Sequence, residues 1–544
     1  MKNIKVLDCT LRDGGRIINC AFKDLEIKEI SRRLAAANID IVEVGFIRDE
    51  RKVEYNGDST FFTDVDQIRP FIDRNKKNVI YTAFIDFGMC NIDTLKPYDG
   101  TSIDGIRFGF TKKNYEESRE EVIRWINIIK DRGYKLFIQG VNSLNYSDRE
   151  LLEIVELVNQ VQPYSFGIVD TYGAMYMDDV DRLYSLIDHN MSPDICINFH
   201  SHNNYQLSFA FAQEIIKLSS NGTRHVIIDG TLSGMGKVAG NLNTELLVDF
   251  LVRKMKYNYD LDMLLDIIDD YIHKYSLKYT WGYSVPSLMA GIYKSHPNNV
   301  IYLTEKFRLD TKDIGKILAM IDPETRQRYD YENIQRLYKE YNHTKIDDRD
   351  ALKQLHDLLD NREILLLLPG ATILEYKDLI KEYIDKNNCF IISANFVSEY
   401  TDIYNRMTFF GSSKRYKNSS ERMKEKNVVV VSNVEKSNSS DIVVNYESLI
   451  ERETEDFDNT MIMLLNLLRR LDIKRFAIAG FDGYSKDKKN YFDDTKFQGN
   501  RFETKFATIT ENMRKMLESY AMTLNKKSDV MFLTPSIYSD IFED

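Results

Sequence analysis

Cysteine is scarce and unpatterned in this chain. Its five cysteines (Cys9, Cys20, Cys90, Cys196 and Cys389) in 544 residues show no CxxC spacing. That favours reduced thiols over a disulfide frame or a zinc ribbon. No apolar run approaches the roughly 20 residues needed to cross a bilayer. Met1 leads straight into a strand, so no signal peptide is expected and the reading is a cytoplasmic protein. Positive charge is also in deficit: the formal net charge is −11, which argues against a general nucleic-acid binder. Local basic stretches such as SSKRYKNSSERMKEK stay open as sites, and KRYKNSSERMKEKN (414–427) reads as a solvated loop, with a phosphate contact as the alternative. What is present, 43% hydrophobic and 29% charged residues, describes a soluble globular chain too long for one core.

Eight short apolar runs, at 4–8, 39–45, 78–84, 104–110, 134–140, 164–170, 194–200 and 224–230, alternate with amphipathic stretches such as DLEIKEISRRLAAAN and REEVIRWINIIKDRG. Eight strands, each followed by a helix-length segment, predict a (β/α)8 TIM barrel over residues 1–260. A doubly wound sheet would also place polar residues at strand ends, but eight units favour the barrel. Asp13, Glu43, Arg107, Gln139, Asp170, His200, His202 and Asp229 all fall at or after C-terminal strand ends, where barrel chemistry gathers.

Two of these strand ends form a pattern. LDCTLRDGGR (7–16) sets Arg12 beside Asp13, with two glycines that let a ligand approach the backbone. Far downstream, HSHNN (200–204) carries His200 and His202 at i and i+2, on one side of an extended segment. One carboxylate and two imidazoles make an open ligand set for a divalent metal, Mn²⁺ first, with Mg²⁺, Co²⁺ and Zn²⁺ compatible.

LRDGG, VEVGF, VDTYGAMYMDDV, HSHNN and DGTLSGMGKVAGNLNTE resemble the DRE-TIM metallolyase superfamily over roughly the first 300 residues, with the aldolases acting on 4-hydroxy-2-oxo acids the nearer likeness. The resemblance implies that Asp13, His200, His202 and Asn241 serve the metal. It further implies that Arg12 stabilises an enolate with Glu43 supporting it, and that Thr171 lies near the pyruvate carboxylate. In YTWGYSVPSLMAGIYKSHPNN, Tyr283 matches a catalytic tyrosine. Arg107 is expected at the substrate.

One departure is chemical. The aldolases carry a general-base histidine where this chain has Arg16, and arginine stays protonated at any working pH. Arg16 is therefore read as a substrate contact that pairs with an extra carboxylate or phosphate, and His296 as a replacement base. The expected reaction is aldol cleavage or formation next to a 2-oxo acid. A Claisen-type acyl-CoA synthase and a non-catalytic binding or scaffold protein are the alternatives. A homo-oligomer is expected.

Residues 261–362 turn helical and charged (TKDIGKILAMID, ENIQRLYKEY, DDRDALKQL). A second α/β pattern then runs over 363–544, with strands in EILLLLPGATI, CFIISANF, NVVVVSN, DIVVNY and RFAIAGFDG. It distantly resembles the Rossmann-like cores of bacterial sialyltransferase-type and related nucleotide- or nucleotide-sugar-binding proteins, although a GxGxxG fingerprint is absent. Asn395 and Asp482 sit at strand ends where such proteins meet their nucleotide. That company suggests a role in surface-polysaccharide assembly.

Overall fold

The computed structural model describes residues 3–543 apart from 77, 221, 307–308, 310, 342–344, 403, 435–437, 452–458, 486–488 and 494–505. They fall into two compact units, Met1–Ile334 and Gln335–Asp544.

The first unit is a (β/α)8 barrel. Its strands are β1 (Ile4–Asp8), β2 (Ile41–Ile47), β3 (Ile80–Asp86), β4 (Gly105–Thr111), β5 (Lys135–Val141), β6 (Ser165–Asp170), β7 (Cys196–Ser201) and β8 (Val226–Gly230). All neighbours pair in parallel, and β1 pairs with both β8 and β2, closing the ring. Alternation along each strand separates two environments. Val6, Val42, Ile106, Ile138, Phe199 and Ile228 pack with the surrounding helices in the main core, whereas Leu7, Ile41, Phe137, Cys196 and Ile227 pack with one another inside the ring. Two residues further along the inward columns the side chains turn polar: Glu43, Gln139, Asn198 and Asp229. Arg107, on the inward column of β4, joins them. This polar layer is buried. The barrel interior is thus apolar at its base and charged toward the C-terminal mouth.

Strand β2 bulges between Glu43 and Gly45. A Cβ at Gly45 would lie 2.3 Å from the Thr60 carbonyl oxygen, so a glycine is needed for the short segment Phe61–Phe62 to pair alongside. After β8 come the helices Thr244–Met255, Leu261–Ile267, Val285–Ile292, Pro297–Lys306 and Thr311–Met320, with a π-helical turn at Ile268–Ile272. The first unit therefore includes most of the helical segment that follows the barrel.

The second unit holds a seven-stranded parallel sheet and fits a Rossmann-like domain. Its strands are β9 (Ile364–Leu367), β10 (Phe390–Ala394), β11 (Arg406–Phe410), β12 (Val428–Val431), β13 (Ile442–Val444), β14 (Phe476–Ala479) and β15 (Val530–Phe532), in the order β13-β12-β11-β10-β9-β14-β15. The order reverses between β9 and β14, which is the switch point of a doubly wound sheet. Strands β11 and β15 were not among the expected ones: RMTFF opens on a charged residue, and VMF is only three residues long. The stretch at 414–427, expected as a solvated loop, lies in a short helix, Ser413–Asn418, and a 3-10 turn, Ser420–Lys424.

Candidate functional site

The turn after β1 is wound tightly by one carbonyl. The Cys9 oxygen accepts from the backbone N–H groups of Arg12 (3.1 Å), Asp13 (2.8 Å) and Gly14 (3.2 Å). Asp8 locks the strand end by accepting from the Thr10 N–H at 3.0 Å and the Thr244 hydroxyl at 2.7 Å. Burial pushes the Asp8 carboxyl up to about 6, against those hydrogen bonds. The outcome is that Arg12 and Asp13 project into the mouth together. Arg12 Nε donates to Glu43 Oε2 at 2.6 Å and Nη1 to Asp13 Oδ1 at 2.8 Å. Its Nη2 has no hydrogen-bond partner among the described residues. Burial works against the Arg12 cation, but Glu43 and Asp13 outweigh it and hold the guanidinium charged.

Across the mouth, the rings of His200 and His202 lie 5.3 Å apart. His200 Nε2 is 4.0 Å and His202 Nε2 is 3.7 Å from Asp13 Oδ2, and one ligand atom from each of the three residues lies within 4.8 Å of the others. The opposite ring nitrogens are tied down: His200 Nδ1 meets Asp229 Oδ2 at 3.1 Å, and His202 Nδ1 meets the Gly240 carbonyl at 3.2 Å. With the proton on each Nδ1, both Nε2 lone pairs face Asp13, the arrangement that orients metal-ligating histidines. Burial lowers the His202 pKa to about 4, against the pull of Asp13. Burial pushes the Asp13 carboxyl up, but Arg12, the two imidazoles and Arg16 bring it well below the usual carboxylate range.

A metal fits this set on two independent observations. Asp13 Oδ2 and Asn241 Oδ1 are both buried and lack a hydrogen-bond partner among the described residues. Asn241 pairs with His202 in an isolated antiparallel bridge, and its amide nitrogen is held by the Met235 carbonyl at 3.1 Å. Orphaned oxygens of this kind are costly unless something satisfies them. The loop that delivers Asn241 requires glycine. Gly240 has φ +70°, and a Cβ there would stand 2.0 Å from the Gly234 carbonyl oxygen.

The remaining expected residues separate. Arg107 does not reach the substrate side: it is 1% exposed, and its guanidinium binds Glu43 at 2.9 Å, Asn198 at 3.0 Å and Asp229. Its place in the polar layer makes it the counter-ion that holds two carboxylates, Glu43 and Asp229, beneath Asp13, His200 and His202. Thr171 uses its hydroxyl to accept the Asn142 N–H at 2.8 Å. Tyr283 is half-exposed and follows Gly282, whose N–H bonds the Val238 carbonyl at 3.1 Å. The placement of His296 argues against a base. Its Nδ1 accepts the Asn298 N–H at 3.1 Å, so the neutral ring carries its proton on Nε2 and can only donate there. Burial, then Lys237 and Arg16, hold it neutral down to about 4. Arg16 lies 3.2 Å from Asp13 and 3.9 Å from Asp86.

Sequence reading assigned no role to Asp229, Asn198, Arg48, Asp86 or Lys237. VIIDG and GKVAGN held the signal for Asp229 and Lys237, but the partners lie on other strands.

Residues 3–270 match the HMGL-like family model. The barrel is an HMGL-like (DRE-TIM) family domain. The 4-hydroxy-2-oxovalerate aldolase of Carboxydothermus hydrogenoformans is 26% identical over 318 residues, covering 58% of this chain and 90% of the relative. The oxaloacetate decarboxylase of Mycobacterium tuberculosis is 26% identical over 262 residues, covering 48% of this chain and 74% of the relative. Among solved structures, the HMG-CoA lyase from Brucella melitensis is similar at 15% identity and a TM-score of 0.40, covering 51% of this chain and 99% of that one.

In the second unit, Asp482 stands just past β14 at the switch point. Its carboxylate accepts the Thr372 N–H at 2.9 Å and the Thr372 hydroxyl. The first turn after β9 is thus closed by an acidic side chain, at the place where a Rossmann-type phosphate would meet backbone amides. Asn395, at φ 65°, accepts the Gly411 N–H at 3.2 Å and donates to Thr460 at 3.0 Å. It also lines a cavity of about 610 Å³ with Phe396, Tyr400, Lys377, Arg415 and Phe492.

Proposed function

We propose that the barrel is a divalent-metal-dependent carbon–carbon lyase for 2-oxo acids, cleaving a 4-hydroxy-2-oxo acid to pyruvate and an aldehyde. The observation that carries this reading is the convergence of Asp13 Oδ2, His200 Nε2 and His202 Nε2 beside the charged, partly unpartnered Arg12 guanidinium. Asp13, His200 and His202 would hold the ion, with Asn241 next to them. A divalent ion there supplies Lewis acidity to the carboxylate and carbonyl oxygens of a 2-oxo acid. When the C3–C4 bond breaks, its electron pair moves onto C3 and the 2-oxo oxygen becomes negative. Arg12 Nη2 is the donor for that charge, held in place by Glu43. The 4-hydroxyl loses its proton as the aldehyde forms, and C3 takes one up. Tyr283 is the group assigned to the hydroxyl proton, since His296 presents no lone pair at Nε2. The aldolase and decarboxylase relatives support the 2-oxo acid.

The test is pyruvate release from a panel of 4-hydroxy-2-oxo acids with Mn²⁺. Thiol release from acetyl-CoA with a 2-oxo acid would point to the Claisen alternative, and CO₂ release from oxaloacetate to a decarboxylase. No turnover of any of these, with metal bound, would sink the lyase reading and leave a binding protein.

A second reading concerns the other unit. The cavity lies at the C-terminal edge of the sheet, where open parallel sheets take ligands. Its aromatic side chains suit a base, and Lys377 and Arg415 suit a phosphate. A nucleotide or nucleotide sugar is the ligand we assign, and a link to surface-polysaccharide or nucleotide-sugar biosynthesis rests on that assignment alone. Titration of the protein with UDP-, GDP- and CMP-sugars, followed by ligand-observed NMR, tests it; no contact with any of them removes it.

A further inference from the structure

Positive charge is in excess at the barrel mouth. Arg12, Arg16, Arg48, Arg107 and Lys237 face four carboxylates, Asp13, Glu43, Asp86 and Asp229. Arg48 holds Asp86 at 2.7 Å, Arg12 and Arg107 share Glu43, and Asp13 is committed to the metal site. Arg16 is left with a contested share of Asp13 and a distant Asp86. Lys237 has no carboxylate partner among the described residues; its ammonium donates only to Asn298 Oδ1, at 3.3 Å.

Lys237 is presented by a strained loop. The next residue, Val238, is β-branched yet sits at φ 57°, a conformation that persists where the surroundings impose it. Half-buried, Lys237 has its pKa lowered by burial and then by the charge of Arg16, and it stands on the same loop that sets Gly240 and Asn241 against His202. The same Asn298 that receives Lys237 donates its N–H to His296, which stays neutral there and brings no opposing charge. With a divalent ion added, positive charge at the mouth exceeds negative by three. The carboxylate and enolate of pyruvate take two, and one cationic place remains.

We propose that Arg16 and Lys237 form an anion subsite, so that the aldehyde half of the substrate carries a carboxylate or a phosphate. This rests on the lyase reading above and adds the class of the second substrate. Arg16, standing where a base is usual, then binds and orients the acceptor and takes no proton from it.

The full-length protein with Mn²⁺ is assayed for pyruvate addition to D-glyceraldehyde 3-phosphate and to succinic semialdehyde, each beside a neutral match, D-glyceraldehyde and butanal. The expected result is a kcat/KM at least tenfold higher for one charged member over its match. The two pairs tell phosphate from carboxylate. In Lys237→Met that ratio falls about tenfold, and Lys237→Arg restores most of it. Equal rates for both members of both pairs, or an unchanged ratio in Lys237→Met, overturn the subsite. Exchange of pyruvate methyl protons in D₂O, followed by NMR without any aldehyde, separates the two levels. Absent exchange overturns the lyase reading and the subsite with it, whereas exchange without charge preference overturns the subsite alone. In metal-free protein, 3-phosphoglycerate raises the melting temperature of the wild type more than that of Lys237→Met; equal shifts also count against the subsite.

Discussion

The two units each end a parallel sheet in a cluster of polar residues, and the clusters differ in what is left over. At the barrel mouth, Asp13 Oδ2 and Asn241 Oδ1 are buried with no hydrogen-bond partner among the described residues, and the Nε2 atoms of two imidazoles stand 4.0 and 3.7 Å from that Asp13 oxygen. At the switch point of the second sheet, the Asp482 carboxylate is fully used by Thr372. Position at the C-terminal edge is shared. For these particular oxygens unsatisfied valence is not: both Asp482 oxygens have a donor and the two barrel oxygens have none, and a buried acceptor without a donor carries a cost that a bound ion, water or ligand relieves.

The strongest way to break this contrast is Asp13→Asn. It removes the carboxylate charge among three ligands, so metal affinity should fall at least a hundredfold and pyruvate release should vanish. Calorimetric titration with Mn²⁺ checks the first and a coupled assay the second; retained affinity would show that the orphaned oxygen is no ligand. Asp229→Asn acts one step away. It weakens the hold on His200 Nδ1 and leaves Arg107 with a missing counter-ion, and metal affinity should drop roughly 10–100-fold by the same titration. Acid pH sharpens the comparison further. His202 titrates near 4 in the folded, metal-free protein against an ordinary 6.5. The unfolded chain therefore gains a proton first as pH falls, so stability is complete above 6.5 and drains between 6.5 and about 4. Urea midpoints across that window should decline, and His202→Asn should flatten the decline. The smallest effect belongs to Asp482→Asn, which should cost about 1–2 kcal/mol of stability in the second unit through weakened hydrogen bonds. Denaturation with a cavity-specific probe such as Phe492 fluorescence replaced by Trp would report it.

The eight barrel strands were readable because each is a short, nearly continuous apolar run, the mark of strands covered on both faces. Asp13, His200 and His202 were readable for a different reason. Their spacing within LRDGG and HSHNN survives folding unchanged, since i and i+2 on a strand share a side. Asp229 supporting His200, Arg48 holding Asp86 and Arg107 bridging β2 to β8 were not readable, because those neighbours are 29, 38 and more residues apart and meet only when the ring closes. Arg107 shows the limit most clearly. Its strand-end position suggested a substrate contact, yet strand alternation turned it inward and one layer down. His296 shows another limit, because which ring nitrogen carries the proton depends on a backbone N–H two residues away.

The tethered imidazoles bear on which ion the proposed metal site would take. Since Nδ1 of each ring is already anchored, the two nitrogens and the Asp13 oxygen stand in place before any ion arrives. Loading then needs little rearrangement, and the ligand set, a mixture of oxygen and imidazole, discriminates weakly among first-row divalent ions. A metal held there as proposed would be whichever ion the surroundings offer, so the ion recovered with the protein should change with the metal content of the medium in which it is made.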